Sequence, residues 1–481
     1  MDTVWIFLKG ALVLFQVIMV FNLLIVVHEW GHFLAARWRG LKIEKFQIWF
    51  GKPLWKKRIN GVQYGLGSIP AGGFVALPQM APMGTIEGSD NELTAEVLPP
   101  ISPLDKIIVA IAGPLFSILL AFAFATIVWM VGYPKRVIES TVVGYVVPDS
   151  PAEAAGLLPG DDIQTINGHE IVQFFGMLDS VIERVSMSRG DTITVGINRP
   201  GIDGGEMLIE TKFMREDGSL TTRPGLRKIG VGPHTPPQVK LMLPNSPAVV
   251  AGLQPGDLLL SANGEKLYSD YPISELTKLG QPIELEVDRG GQVLPITITP
   301  AVPFQPEDSE PMLGIQWDTQ FMSETLDHPT PLDQVTKGGK LIWRTLTALV
   351  SPKSDVSVSH LSGPVGISNL YFNLLSEPDG WRLVFWFSVV LNVNLAILNM
   401  LPLPVLDGGH ITIALVEMIR RKPINTRFLE IIQTACALAL ISFMIFVTWF
   451  DSADTVRDVG DAVDAKKEPV PVKFAPPGSS N

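Results

Sequence analysis

Residues 4–32 read VWIFLKGALVLFQVIMVFNLLIVVHEWGH, an apolar run that ends on two histidines. Between residues 4 and 27 only Lys9, Gly10, Gln16 and Asn22 interrupt it. A helix of about 20 apolar residues crosses a hydrocarbon core ~30 Å thick, so this stretch is long enough to span. It resembles a signal peptide in position, but no small-residue cleavage site follows and His28-Glu29-Trp30 comes next, so the segment is expected to be retained. In a helix, His28 and His32 share a face and can reach one metal ion. Glu29 between them is placed to take a proton from water held by that ion. Ionisable groups at the end of a span are expensive and are usually functional; the alternative is a polar cluster snorkelling at the interface.

Three further runs have the same character: 107–131, without a charge, 383–403 and 431–450. Lys/Arg asymmetry orients them. The first loop carries Arg37, Arg39, Lys42, Lys45, Lys52, Lys56, Lys57 and Arg58, and the last carries Arg420, Arg421, Lys422 and Arg427. Both loops are expected on the cytoplasmic side. Both termini and the long insert 135–380 are then expected outside. The composition agrees: 18% of the 481 residues are charged, against about 25% in soluble proteins. A net charge of −11 disfavours a nucleic-acid partner, which needs a basic face. The only cysteine, Cys436, excludes an intrachain disulfide.

The insert repeats itself. Ser150-Pro151-Ala152, Ala155-Gly156-Leu157, Pro159-Gly160-Asp161 and Asn167-Gly168 return 96 residues later, as Ser246-Pro247-Ala248, Ala251-Gly252-Leu253, Pro255-Gly256-Asp257 and Asn263-Gly264. Two copies of this length are two globular modules rather than a solenoid. Serine suits a helix N-cap and proline the N1 position, and Asn-Gly makes a tight hairpin. Strands are expected around Asp191–Val195 and Ile283–Val287. The pattern resembles PDZ domains in the permuted form of bacterial proteases, which bind extended peptides by strand addition; the alternative is a pair of spacer domains. Residues 331–350 place Leu332, Val335, Leu341, Ile342, Leu346 and Leu349 at helical spacing. This predicts an amphipathic helix on the outer membrane surface, or one packed on the second module.

A site of this kind needs a third protein ligand and keeps one position for water. Asp407, in LPLPVLDGGH (401–410), is the candidate at matching depth. Two prolines end the helix before it, and two glycines allow close backbone approach. The competing role for Asp407 is a helix N-cap. His410 is a further ligand, a supporting group, or neither; with three ligands in hand, support or no role is preferred.

With its HExxH in the first span, its LDG aspartate after the third and its paired modules, the chain resembles the RseP-type site-2 proteases over roughly residues 1–450. Asn399 to His410 is nearly a family motif, and Leu361-Ser362-Gly363-Pro364 resembles another. The resemblance implies a polytopic α-helical membrane protein with four transmembrane helices, a membrane re-entrant β segment, and two tandem PDZ domains between spans two and three. The implied division is 1–134 for spans one and two, 135–230 and 231–325 for the PDZ domains, and 326–380 for a surface helix and loop. Spans three and four take 381–450, and 451–481 is expected to be a disordered tail rich in proline (Pro469, Pro471, Pro476, Pro477).

The resemblance further implies Zn2+ held by His28, His32 and Asp407, with Glu29 as general base. Asn394 and Asn399 match asparagines that hold the substrate backbone, or else bond helices together. Residues 59–77 alternate and carry Gly72-Gly73-Phe74-Val75, which suits a hairpin. In the family this segment enters the membrane and offers a strand edge, here Tyr64 to Val75, to an unwound substrate. The implied substrates are single-span proteins already trimmed outside, of the anti-sigma-factor type, or signal-peptide remnants. The implied setting is a monomer in the bacterial inner membrane with its modules periplasmic. Ser117 departs from a family GPxxN pattern, which puts any role of that asparagine in doubt here. The rival readings are a non-catalytic scaffold with peptide-binding modules and a zinc transporter.

Overall fold

An apolar run in lipid has no water to bond its backbone, so it closes its hydrogen bonds within a helix. The computed structural model describes residues 2–80, 101–138, 140–202, 206–219, 221–306, 309–318, 323–422, 424–466 and 472–475. Among them, four helices are long and apolar enough to cross a membrane: Gly10–Trp38, Pro103–Val131, Gly380–Asn399 and Arg427–Asp461. The chain forms two units, one of Met1–Pro134, Leu326–Trp343 and Leu361–Ser452, the other of Lys135–Thr325, Arg344–His360 and Ala453–Asn481.

In the first unit, helix α1 (Asp2–Trp38) leads into four strands, β1 (Lys45–Phe50), β2 (Trp55–Ile59), β3 (Val62–Leu66) and β4 (Ile69–Ala76). They form one sheet in the order β2-β3-β1-β4. Asn60 and Gly61 at positive φ (49° and 85°) turn β2 into β3, as a two-residue hairpin requires. β1 then lies parallel to β3 and antiparallel to β4. The expected hairpin is therefore half of a larger sheet. β3 is interior, so Tyr64 is on no open edge; the edge strands are β2 and β4. The Tyr64 ring packs instead with Phe33 and Phe46, each 6.1 Å away.

Helix α2 (Pro103–Val131) opens on Ser102, whose side chain accepts the Asp105 N–H, with proline next, a standard helix start. It packs on α1, on the Gly380–Asn399 helix and on the Asp407–Arg420 helix. Gly31 makes the first of these contacts close, since a Cβ there would lie 2.4 Å from the Ala112 carbonyl oxygen. The third span ends at Asn399, four residues before the expected Leu403, and a new helix begins at Asp407.

Residues 326–380 hold two α-helices, Pro331–Leu349 and Pro364–Ser376, where one helix and a loop were expected. The second starts at Gly363 and Pro364 without a side-chain cap of its own. Buried Asp451 supplies one from afar, accepting the Gly363 and Gly366 N–H groups at 2.9 and 2.8 Å. The first helix is not free on a surface. Its buried Gln334 donates to the Ala125 carbonyl of α2, while its Arg344 bonds Glu183 and Asp179 of the first repeat, not the second.

The terminal helix runs Thr426–Lys466, which overturns disorder over 451–466. Beyond the apolar run it is held by polar contacts: Asp454 pairs with Arg223 at 2.9 Å and Arg457 donates to the Thr221 carbonyl. Phe474 is also buried, only 5% exposed. Pro469, Pro471, Pro476 and Pro477 lie outside the described residues.

The second unit holds the repeat. Each copy has a four-stranded sheet of one topology: Met207–Lys212, Thr192–Asn198, Asp162–Ile166, His169–Glu170 in the first, and Gln292–Ile298, Ile283–Arg289, Leu258–Ala262, Glu265–Lys266 in the second. Ser150 and Ser246 cap their helices by accepting from Glu153 and Val249 N–H. Asn167-Gly168 and Asn263-Gly264 turn at positive φ. A buried aspartate in each copy takes an arginine fork, Asp161 from Arg199 and Asp257 from Arg289, all at 2.7–2.8 Å. These pairs are 38 and 32 residues apart, so the second copy is six residues shorter after its Asn-Gly turn.

Candidate metal centre

The helical register of α1 puts His28 and His32 on one buried face, beside α2 and the start of the Asp407–Arg420 helix. His32 Nδ1 lies 2.8 Å from the Val109 carbonyl oxygen. A carbonyl only accepts, so this nitrogen carries the proton and Nε2 presents a lone pair. His28 Nδ1 lies 3.0 Å from Ser117 Oγ, and Asn399 Nδ2 lies 3.3 Å from His28 Nε2. An amide N–H donates, so His28 Nε2 also accepts.

The two Nε2 atoms are 3.3 Å apart, and the Asp407 carboxylate completes a triangle at 3.2 Å from His28 and 3.3 Å from His32. The Asn399 N–H meets the His28 lone pair from the side, and no donor among the described residues lies between the two imidazole nitrogens and the carboxylate, whose buried Oδ2 has no hydrogen-bond donor among them. Acceptors brought together in this way repel one another unless a cation lies between them. A tetrahedral zinc with arms of ~2.0–2.1 Å sets its ligand atoms ~3.3 Å apart, which is the spacing here. The residues fit the ion.

Asp407 is the first residue of its helix rather than the cap; Leu406 holds the cap position without a side-chain bond. Its carboxylate faces the histidines because the chain folds tightly before it. A Cβ on Gly408 would lie 2.2 Å from the Met400 carbonyl oxygen, and one on Gly409 2.1 Å from that of Leu403. An ion pair from Lys106 of α2 to Glu417 at 2.7 Å ties this helix in place.

A cavity of about 250 Å³ opens on the triad, lined by Glu29, Phe74, Val75, Asn399 and His410 among others. The Val75 backbone N–H on β4 faces the Glu29 carboxylate. Gly73 lies against β1, where a Cβ would come 3.1 Å from the Gln47 carbonyl oxygen. His410 lines the cavity but is outside the set of converging donor atoms. Tyr64, Gly72, Gly73 and Asn394 do not line it. Gly72 sits at positive φ under the Phe50 ring, and Asn394 is half-buried with its Oδ1 unbonded among the described residues.

Two residues of the GPxxS stretch have roles that sequence reading did not assign. Gly113 faces the imidazoles, where a Cβ would lie 2.2 Å from His32 Nε2 and 2.8 Å from His28 Nε2. Ser117, one turn on and fully buried, holds His28. The available signal was their i, i+4 spacing beside Pro114 within an uncharged span.

The sequence profile of Peptidase family M50 matches residues 16–443. A protein of Neisseria meningitidis with the provisional name zinc metalloprotease is 29% identical over 465 residues, 92% of this chain and 98% of its own. Protease RseP of Yersinia pestis is 28% identical over 444 residues, 89% of this chain and 95% of its own. The regulator of sigma E protease of Haemophilus influenzae is 29% identical over 443 residues, 89% of this chain and 96% of its own.

Proposed function

The chain belongs to Peptidase family M50 and is a zinc metalloendopeptidase, and from that premise we propose that it cuts peptide bonds inside the spans of single-pass membrane proteins. The observation that carries this reading is the triangle of His28, His32 and Asp407 at 3.2–3.3 Å beside Glu29, in a cavity bounded by apolar helices and an open strand edge. His28, His32 and Asp407 hold the ion, which when bound polarises a carbonyl and acidifies a water molecule. Glu29 accepts the proton of the attacking water and passes it to the leaving amide nitrogen. Asn399 lines the cavity, and its amide has a second N–H able to bind a peptide carbonyl.

A substrate helix must unwind before any carbonyl is free for attack, because its carbonyls are already bonded within the helix. The edge of β4, from Gly73 to Val75, offers replacement partners by strand addition. Helix-weakening residues in the target span should therefore matter more than a strict sequence. The two repeats act as PDZ modules that screen for substrates already trimmed outside the membrane. The names of the RseP and sigma-E relatives support an anti-sigma factor as substrate and an inner-membrane location, and the Lys/Arg asymmetry of the loops favours repeats and termini on the periplasmic side.

The test compares wild type with Glu29→Gln on a purified single-span reporter lacking its outer domain. Cleavage within the span is expected from the wild type alone, with equal zinc in both proteins. Equal cleavage by both would remove Glu29 from its role; no cleavage by zinc-loaded wild type on a panel of trimmed single-span reporters would favour the scaffold.

A further inference from the structure

Residues 472–475 return to the second repeat and pair with it. Lys473 N–H donates to the Gln305 carbonyl at 2.9 Å, and Phe304 N–H donates to the Lys473 carbonyl at 3.0 Å. This is an antiparallel bridge to the segment between strands Gln292–Ile298 and Ile315–Trp317. The next side chain, Phe474, is 5% exposed. It packs where Gly314 leaves room: a Cβ on that glycine, which has φ +72°, would lie 3.1 Å from the Phe474 ring. Ser246, the helix cap of the repeat, is the other neighbour of Gly314 at this point.

The corresponding excursion of the first repeat meets the C-terminal region differently. Its Met214–Lys228 bridge matches the Ala301–Met312 bridge of the second. There the Thr221 carbonyl takes Arg457, and Arg223 pairs with Asp454. One excursion is thus gripped by charge, the other by backbone pairing and an aromatic anchor. The second grip has the two elements of strand-addition recognition, main-chain bonds for affinity and a pocket for specificity.

We propose that Phe304, Gln305, Gly314 and Ser246 form a binding site for an extended peptide carrying an aromatic side chain, and that residues 472–475 of this chain are its resident occupant. The site lies on the excursion before strand Ile315–Trp317 and is separate from the metal centre. A tethered segment acts at an effective concentration in the millimolar range, so the tail shuts the site to all but strong competitors. Loss of the tail opens it to segments of the same chemistry from other chains.

The probe is a fluorescent peptide of residues 470–478, titrated into the full chain and into a chain ending at Lys466, both in detergent micelles. Saturable binding to the shortened chain is expected, at least tenfold weaker in the full chain. Peptide carrying Phe474→Ala should bind roughly 10- to 100-fold less well, the worth of one buried aromatic ring. Full chain with Phe474→Ala should gain binding of the native peptide, which tests the site even if the shortened chain fails to fold. Absence of binding to both altered chains, with native-like melting, would overturn the proposal, as would equal binding by all three. Catalysis is not read, so failure here leaves the peptidase assignment standing.

Discussion

Replacing Gly113 by alanine separates the metal centre from the fold that carries it. The new Cβ would lie 2.2 Å from His32 Nε2, 2.5 Å from its Cε1 and 2.8 Å from His28 Nε2, where ordinary contact begins at 3.4 Å. About 1.2 Å must be found against His32 alone. Alanine gains ~1 kcal/mol of helix propensity over glycine, while crowding of a packed site costs ~1–3 kcal/mol. The helices can therefore survive the change, but the imidazoles must move. Metal ligands tolerate only ~0.2 Å of displacement, and a 1 Å misplacement costs ~10²-fold in catalysis. Gly113→Ala should lose at least ~10²-fold in zinc affinity, and cleavage with it, while melting near the native temperature. Zinc per chain after dialysis against graded chelator is the assay. Gly10→Ala serves as control, since no atom lies within 4 Å of its added methyl. If Gly113→Ala keeps zinc at native affinity and melts higher, the imidazoles are not confined by α2 and the reasoning fails.

Three further outcomes are expected. Ser117→Ala removes the partner of His28 Nδ1 and should weaken zinc binding 10- to 100-fold, read by chelator competition, with Ser117→Thr retaining more. Asp451→Ala strips the Gly363 and Gly366 N–H groups of their acceptor and should cost ~1–3 kcal/mol for each buried donor left unpaired, seen as a lower melting temperature; an unchanged one would remove Asp451 as the cap. In the second repeat, burial pushes the Asp257 carboxyl up, but the Arg289 fork and the Gln254 N–H outweigh it and hold it below its ordinary value. Its contribution to stability should be complete above the unfolded value of ~3.9 and lost as pH falls through the lower folded one. Asp257→Asn should therefore melt lower than wild type at pH 7, with the gap closing below about pH 4; a constant gap would contradict this linkage.

The spans, the histidine pair and the repeat were legible because each rests on neighbours in sequence. An apolar run of 20 residues bonds its own backbone, so the spans expected at 4–27 and 107–131 needed no partner to be foreseen. The Asn-Gly turns and Ser-Pro helix starts likewise carry their geometry in two or three residues. Asp407 could be named because a buried carboxylate beside an apolar span needs a partner. The sheet was misjudged because parallel pairing of β1 with β3 depends on residues far apart, whereas alternation reveals only that a strand exists. Tyr64 shared that error: its strand is interior and its ring belongs to the Phe33–Phe46 cluster.

The tail was misread for a related reason. Composition describes a segment in isolation, and residues 451–466 are polar enough to be taken as unfolded. Asp451, Asp454 and Arg457 instead find partners supplied from residues 221–223 and 363–366. Sequence alone determined the apolar spans, the duplication and the chemistry of the donors, since these follow from local periodicity and residue type. Tertiary structure alone decided that two imidazoles and a carboxylate meet at 3.3 Å, that Gly113 leaves them room and that Ser117 aims one of them. Those facts depend on how helices approach across hundreds of residues, and no local pattern encodes such a distance.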